Sequence, residues 1–428
     1  MNKELPGAYF RFISNGRTTP TITDRGVAAL PVPLTWGPEG EVFAVTQEAF
    51  LKNSKEIFGH AYDADSMKGL RDLFLNAQTV YFYRLSGGEK AKAELEGTTI
   101  ATAIYAGSRG NDITITIADS VDEPGAYEVI TYLNNLEVDN QLVTTASELV
   151  KNSYVEFNPD AVLQATAGIP LTGGKDTDVT GENHQNALTA MESYSFNIIG
   201  CLSEDETIKK LYATWTKRMV EEVGVNIQLV VHQYSEADHE TVISVENETL
   251  DGNVYDNIYW VTGAECACEI NKTLENQKYN GEYEIDTNYS QDELKEAVKS
   301  GKFIFHNQNG EVRVLEDINT FVSYTEEKTE DFSLNQVIRV LYQIATDTAT
   351  TFYNKYLGKI NNNAAGKISF WGDIDKLNKN YETKGAIEEW DNGTLTVSKG
   401  EGKRTVVVEQ EVKPVCAMGV LYVTTYVG

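Results

Sequence analysis

The last 24 residues, Thr405 to Gly428, read TVVVEQEVKPVCAMGVLYVTTYVG and constrain this chain more than any other stretch. Val, Tyr and Thr dominate, and these side chains suit a pleated, half-buried surface. From Val420 to Val427 the apolar residues fall on both alternating faces. Val420, Tyr422 and Tyr426 lie on one, and Leu421, Val423 and Val427 on the other. A strand apolar on both faces has to be covered on both. Chain termini are ordinarily polar and frayed unless something holds them. The tail is therefore expected to add itself to a sheet, in its own subunit or in another.

At 428 residues the chain can hold two or three domains, each with its own core. It carries 36 Lys and Arg against 64 Asp and Glu, a net charge of -28. That field repels nucleic acid and anionic lipid, so neither is expected as a direct partner. No window approaches the apolar length of a membrane span. MNKELPGAYF places Pro6 and Gly7 where the apolar core of an export signal would sit. The four cysteines, Cys201, Cys266, Cys268 and Cys416, are then expected as reduced thiols.

Along the chain, Ala8, Phe10 and Phe12 alternate with Tyr9, Arg11 and Ile13, the pattern of a short strand, followed by a loop at Gly16–Pro20. Val27–Trp36 and Val80–Leu85 are expected as strands around a helical stretch at 47–78. Residues 91–160 switch to short alternating strands, with Ile113, Ile115 and Ile117 pointing one way, and form a mostly-β insertion. Helices near Gln185–Ser193 and Thr207–Val223 alternate with strands at Phe196–Leu202 and Val225–Gln233, the signature of βαβ units. Asn257–Ile270 is small and apolar, compatible with strand or helix. Gly301–His306 and Glu311–Leu315 are expected to form a hairpin about Asn309-Gly310. Ser333 with Gln336 has the spacing of a capping box. It would open a long helix whose apolar face is Leu334, Ile338, Leu341, Ala345, Thr348 and Phe352, ending near Gly358. A second helix over Ile368–Tyr381 and strands at Thr394–Val397 and Thr405–Val412 precede the tail. The expected fold class is mixed α/β (α+β), multidomain. It comprises an arm (1–25), an α/β domain in two parts (26–90 and 161–330), the inserted β module (91–160), a C-terminal domain (331–404) and the terminal strand and arm (405–428).

Chemistry-bearing patterns are scarce. Gly168–Asp176, GIPLTGGKD, resembles a phosphate loop, but the spacing is one residue too long and Asp176 would repel phosphate where Ser or Thr is needed. Cys266 and Cys268 lack a second pair at zinc-binding spacing and read as small apolar fillers. His232 and His239, with Asp238, are set too far apart for an evident metal site. His60, His184 and His306 are scattered. No G-x-S-x-G or H-E-x-x-H occurs. Weight therefore moves toward a structural or interaction protein, with no cofactor expected.

Several stretches, in order, resemble one family, the contractile tail sheath proteins of bacteriophages and phage-tail-like bacteriocins. They are Pro6–Phe12 (PGAYFRF), Ala29–Pro38 (ALPVPLTWGP), Gly107–Ile113 (GSRGNDI), Leu171–Lys175 (LTGGK), His239–Asn247 (HETVISVEN), Tyr259–Ala264 (YWVTGA) and Glu316–Phe321 (EDINTF). Val337–Leu357 (VIRVLYQIATDTATTFYNKYL), Gly385-Ala386-Ile387 and Lys413–Val427 (KPVCAMGVLYVTTYV) complete the series. Cys266, Cys268 and Met418-Gly419-Val420 depart from the pattern.

The resemblance implies a subunit that polymerises helically around an inner tail tube and contracts after the baseplate is triggered, driving the tube through a target envelope. Its partners would be further copies of itself, the tube, and the baseplate and terminator proteins. Assembly would take place in the bacterial host cytoplasm, without nucleic-acid binding or membrane insertion. The implied N-terminal arm is Ala8, Tyr9, Phe10, Arg11, Phe12 and Ile13. The C-terminal arm is Val420, Leu421, Tyr422, Val423, Thr424, Thr425, Tyr426 and Val427. The arms would hinge at Gly16, Pro20, Pro414 and Gly419. Lys355, Lys359, Lys367, Lys376 and Lys379 cluster in an acidic chain and are expected to face the tube. Such a subunit is not an enzyme. The alternatives are a donor-strand fimbrial or surface-layer subunit, and a hydrolase with an unrecognised carboxylate pair.

Overall fold

The computed structural model describes residues 25–427. The N-terminal arm Ala8–Ile13 and the hinges Gly16 and Pro20 lie outside the described residues. Within them the chain forms two compact units, one from Arg25–Arg339 joined by the segment from Cys416 onward, the other Val340–Val415.

A seven-stranded sheet organises the larger unit. Its order is Lys302–Phe303, Val242–Val245, Gln228–His232, Ile198–Cys201, Val27–Val32, Thr79–Arg84 and Val42–Thr46. Every neighbouring pair is parallel except the last. Parallel strands need crossovers, and helices supply them on both faces. We label the helices α1 (Gln47–Phe58), α2 (Lys68–Phe74), α3 (Gly181–Met191), α4 (Glu206–Arg218), α5 (Asn257–Ala267), α6 (Gln291–Lys299), α7 (Asn335–Lys355) and α8 (Ala364–Thr383). Period-two alternation decides which face each strand residue covers. Leu30, Ile198 and Val230 pack with Phe50, Leu73 and Trp260 of α1, α2 and α5. Ala29, Ile199 and Val231 pack with Leu188 and Tyr212 of α3 and α4.

The small-residue run VTGAECAC is helix, not strand. A Cβ on Gly263 of α5 would lie 2.3 Å from the Leu73 carbonyl, so α2 and α5 approach backbone to backbone there. The hairpin turn falls at Asn309 (φ 55°) and Gly310 (φ 85°), as expected. The run before it is split, however. Lys302–Phe303 continues the central sheet beside Ser244 and Val245, and only Phe305–Gln308 pairs with Glu311–Val314.

The inserted module contains a three-stranded sheet (Val155–Phe157, Thr98–Ala103, Lys92–Leu95) and a four-stranded one (Thr166–Pro170, Ile113–Asp119, Tyr127–Leu133, Leu136–Val143). Ile113, Ile115 and Ile117 fill its core. Thr166–Pro170 belongs to this sheet although it follows residue 160.

In the smaller unit Tyr356, Phe370, Ile374 and Leu395 form a core under the hairpin Thr396–Lys399/Val406–Glu409. Two expectations about α7 need correction. Ser333 does not cap it, because its hydroxyl donates to the Glu330 carbonyl (2.7 Å) within a preceding 3-10 turn. Ala345 is exposed, and the buried side instead carries Val340, Ile344, Asp347 and Thr351. Polar partners explain the difference: the Tyr381 hydroxyl donates to Asp347 and to the Gln343 carbonyl, drawing those positions inward.

Candidate assembly surfaces

From Val420 onward the tail has no strand partner among the described residues. Lys413–Pro414 pairs antiparallel with Ile387–Glu388, and Val415 N donates to Ala386 O (2.9–3.0 Å being ordinary for such a bond; here 3.0 Å). Pro414 therefore sits in a strand pair and not in a free leader. Ala417 N then bonds Gln336 Oε1 at 3.0 Å. Beyond it, Val420, Leu421, Tyr422, Val423, Tyr426 and Val427 are 73–93% exposed. Such a run of consecutive exposed apolar side chains marks an interaction segment.

The hairpin Thr396–Lys399/Val406–Glu409 offers a complementary feature. It is a two-stranded sheet, so its outer strand edges are unpaired among the described residues. Trp371 Nε1 donates to Leu395 O (2.9 Å), and Val397, Val406 and Val408 pack on the aromatic core beneath. The edge is thus held rigidly on α8.

Nearby in the same unit is a cavity of about 390 Å³ lined by Lys359, Lys367, Lys403 and Arg404 above Phe352, Tyr356 and Phe370. Among the described residues no carboxylate lines it. The N-terminus of α8, capped by Asn363 Oδ1 on Gly366 N (2.9 Å), borders it and adds positive potential. Asn362 donates to the carbonyls of Lys403 and Thr405 (3.2 and 2.9 Å), which ties the hairpin loop to this rim.

The five lysines singled out from the sequence do not form one bare face. Lys355 pairs with Asp373 (3.2 Å) and Lys379 with Asp375 (2.8 Å). Lys359 donates to Asn354 O (2.6 Å) and lines the cavity with Lys367. Lys376 is exposed. Lys403 and Arg404, distant in sequence, complete the basic cluster; only their clustering at a hairpin turn hinted at them.

The remaining polar residues are structural. His232 donates Nε2–H to Asn247 O (3.1 Å), and His184 meets the Tyr212 hydroxyl (2.9 Å); burial holds both imidazoles down to about 4. His239 lies between Glu221 (2.9 Å) and Thr241 (2.8 Å). Burial pushes the Cys266 and Cys268 thiols up to about 12, away from reactive thiolate. Lys175-Asp176 pairs with Gly88-Glu89, Asn111 bonds both Gly174 N and Gly174 O, and Asp176 accepts from Ser108, so this turn is filled by its own chain. Among the described residues no group of His, Cys, Asp and Glu is placed to hold a metal, and no helix is long and apolar enough to cross a membrane.

Comparison with known proteins agrees with this layout. The chain matches the phage tail sheath central domain over residues 177–320, the phage tail sheath C-terminal domain over 327–428, the sheath β-sandwich domain over 86–176, and the domain III N-terminal region of the tail sheath protein Gp18 over 25–85. It is 30% identical to the phage-like element PBSX protein XkdK of Bacillus subtilis, over 98% of this chain and 96% of that protein. A sheath tail protein from Desulfitobacterium hafniense superposes with a TM-score of 0.85 at 30% identity, covering 95% of this chain and 96% of the other. The contracted helical sheath of the anti-feeding prophage shares the fold, with a TM-score of 0.59, 10% identity, and coverage of 100% and 99%. The matched domains define a structural subunit of a contractile tail. The chain belongs to the phage tail sheath protein family. The fimbrial and surface-layer alternative finds no support in these relatives.

Proposed function

We propose that this subunit polymerises helically around an inner tail tube by lending its C-terminal tail, Val420–Val427, to the hairpin edge of a neighbouring copy. The observation that carries this is the tail itself, six large apolar side chains exposed beyond a firmly paired root. Strand addition satisfies the recipient edge through main-chain hydrogen bonds, while alternate side chains set the register. Each such bond nets only about 0.5–1.5 kcal/mol, so the link rests on several together with the buried Leu, Val and Tyr. A donated strand is a heterologous contact, and heterologous contacts that do not close generate helical filaments. Ala8–Ile13 is the other half of the clasp, with Gly16 and Pro20 in its leader. The bend before the C-terminal strand is Cys416–Gly419, since Pro414 is already paired.

The basic cavity is the tube contact in this reading. Lys359, Lys367, Lys403 and Arg404 meet acidic side chains of the tube, with Lys376 alongside, and baseplate and terminator proteins close the two ends. Work comes from two packings of the same subunits, released by a trigger, and needs no cofactor or catalysis. The subunit assembles in the bacterial host cytoplasm.

A chain ending at Met418 tests the clasp. It is expected to fold, to melt like the full chain, and to remain monomeric in sedimentation and negative-stain images; hollow polymers of normal length would refute strand donation. Reversing charge with Lys403→Glu and Arg404→Glu tests the cavity. Empty sheaths should still form, but co-assembly with tube should be lost, and unchanged co-assembly would remove the cavity from the tube contact.

A further inference from the structure

A buried charged cluster sits in the larger unit where Arg25, the start of α7 and the segment from Cys416 onward meet. Arg339, in the first turns of α7, is buried with Glu265 of α5 and Asp317. Its Nη2 donates to Glu265 Oε2 (2.7 Å) and Asp317 Oδ2 (3.2 Å), and its Nη1 to the Lys272 carbonyl (2.8 Å). Asp317 also accepts from Leu274 N, Thr273 Oγ1 (both 3.0 Å) and Asn335 Nδ2 (2.8 Å). A buried ion cluster is weak evidence for stability, because apolar residues of the same volume often do as well. Its presence calls for another reason.

Each of the three is fastened here. At the N-terminal side, Arg25 donates Nε to Cys268 O (3.0 Å) and Nη2 to Glu265 O (3.3 Å), while Gly26 N bonds Cys266 O (2.9 Å). These carbonyls end α5, where a helix welcomes a cation. At the second, α7 itself runs on from Arg339 to Lys355. At the third, Ala417 N bonds Gln336, three residues before Arg339 and on the same side of α7. Gly419 then lies against Glu275, so close that a Cβ would come within 3.0 Å of its carboxylate. Glu275 follows the Thr273-Leu274 pair that holds Asp317.

We propose that Arg339, through Glu265 and Asp317, is a positioning residue that gives the N-terminal segment, α7 and the C-terminal tail one common anchor. A subunit so built presents its linkers from fixed points, and a pull on one is felt at the others. The benefit to a polymer rests on the strand-donation reading. The anchor itself is a property of the single subunit.

Hydrogen exchange of the free full-length subunit tests it. With Arg339→Lys, which keeps the charge and loses the planar fork, the amides of Gly26 and Ala417 should both exchange faster, by about tenfold or more, while Leu229–Val231 stay protected. Faster exchange confined to Lys272–Leu274, with Gly26 and Ala417 unchanged, would overturn the proposal. Gln336→Ala, a milder change, should free Ala417 and leave Gly26 protected, and the polymers it forms should be shorter and less regular than wild type. Wild-type length and order would count against the anchor. Polymerisation by the chain ending at Met418 would sink strand donation and leave the exchange result standing.

Discussion

Val27–Val32 and Val420–Val427 are both short, Val-rich, and apolar on both faces, yet they meet opposite fates. The first is the middle of the central sheet, with Thr79–Arg84 on one side and Ile198–Cys201 on the other, and Ala28, Ala29 and Leu30 wholly buried. The second is left naked, with Tyr422 91% and Val427 93% exposed. The same local preference is satisfied inside the subunit in one case and left open in the other. Composition specifies that a strand needs covering, and topology decides who covers it.

Substitutions should separate the two runs sharply. Leu30→Ala removes side-chain atoms from a closed core and is expected to cost about 2–5 kcal/mol of monomer stability in denaturant unfolding. Leu421→Ala should change monomer stability by less than about 0.5 kcal/mol, while lowering polymer yield. Equal effects on the monomer would mean that the tail packs on its own subunit in solution.

Acidification should weaken the larger unit before it affects the tail. His184 and His232 are buried and held down to about 4, whereas in the unfolded chain they titrate near 6.5. The unfolded state therefore takes up protons first as pH falls. Stability that is complete above about 6.5 is lost progressively toward 4, by up to roughly 3 kcal/mol for each histidine. His232→Gln should flatten part of this slope in melting temperatures measured from pH 7 to 4. An unaltered slope would remove His232 from the account.

What was legible in the sequence followed from short-range rules. The alternation of helices with the strands Phe196–Leu202 and Val225–Gln233 announced a parallel sheet, the Ile113–Ile117 alternation announced the β module, and Asn309-Gly310 announced a hairpin turn. What was missed depends on partners far along the chain. Lys302–Phe303 joins the central sheet because Val245 lies beside it. Ser333 and Gln336 have capping-box spacing, but Glu330 and Ala417 take their polar atoms. Lys355 and Lys379 looked free until Asp373 and Asp375 of α8 appeared beside them. Lys403 and Arg404 reach the cavity only because the hairpin folds back over α8, and Glu265, inside VTGAECAC, gave no sign of pairing with Arg339. The arm Ala8–Ile13 remains an expectation from sequence alone.

The most direct test is a density map of the assembled polymer at a resolution that traces main chain. Val420–Val427 of one subunit should run as an added strand beside Thr396–Lys399 or Val406–Glu409 of a neighbour, leaving its own subunit after Ala417. A tail that folds back onto the subunit it came from, with the neighbouring hairpin edge open, would contradict the account.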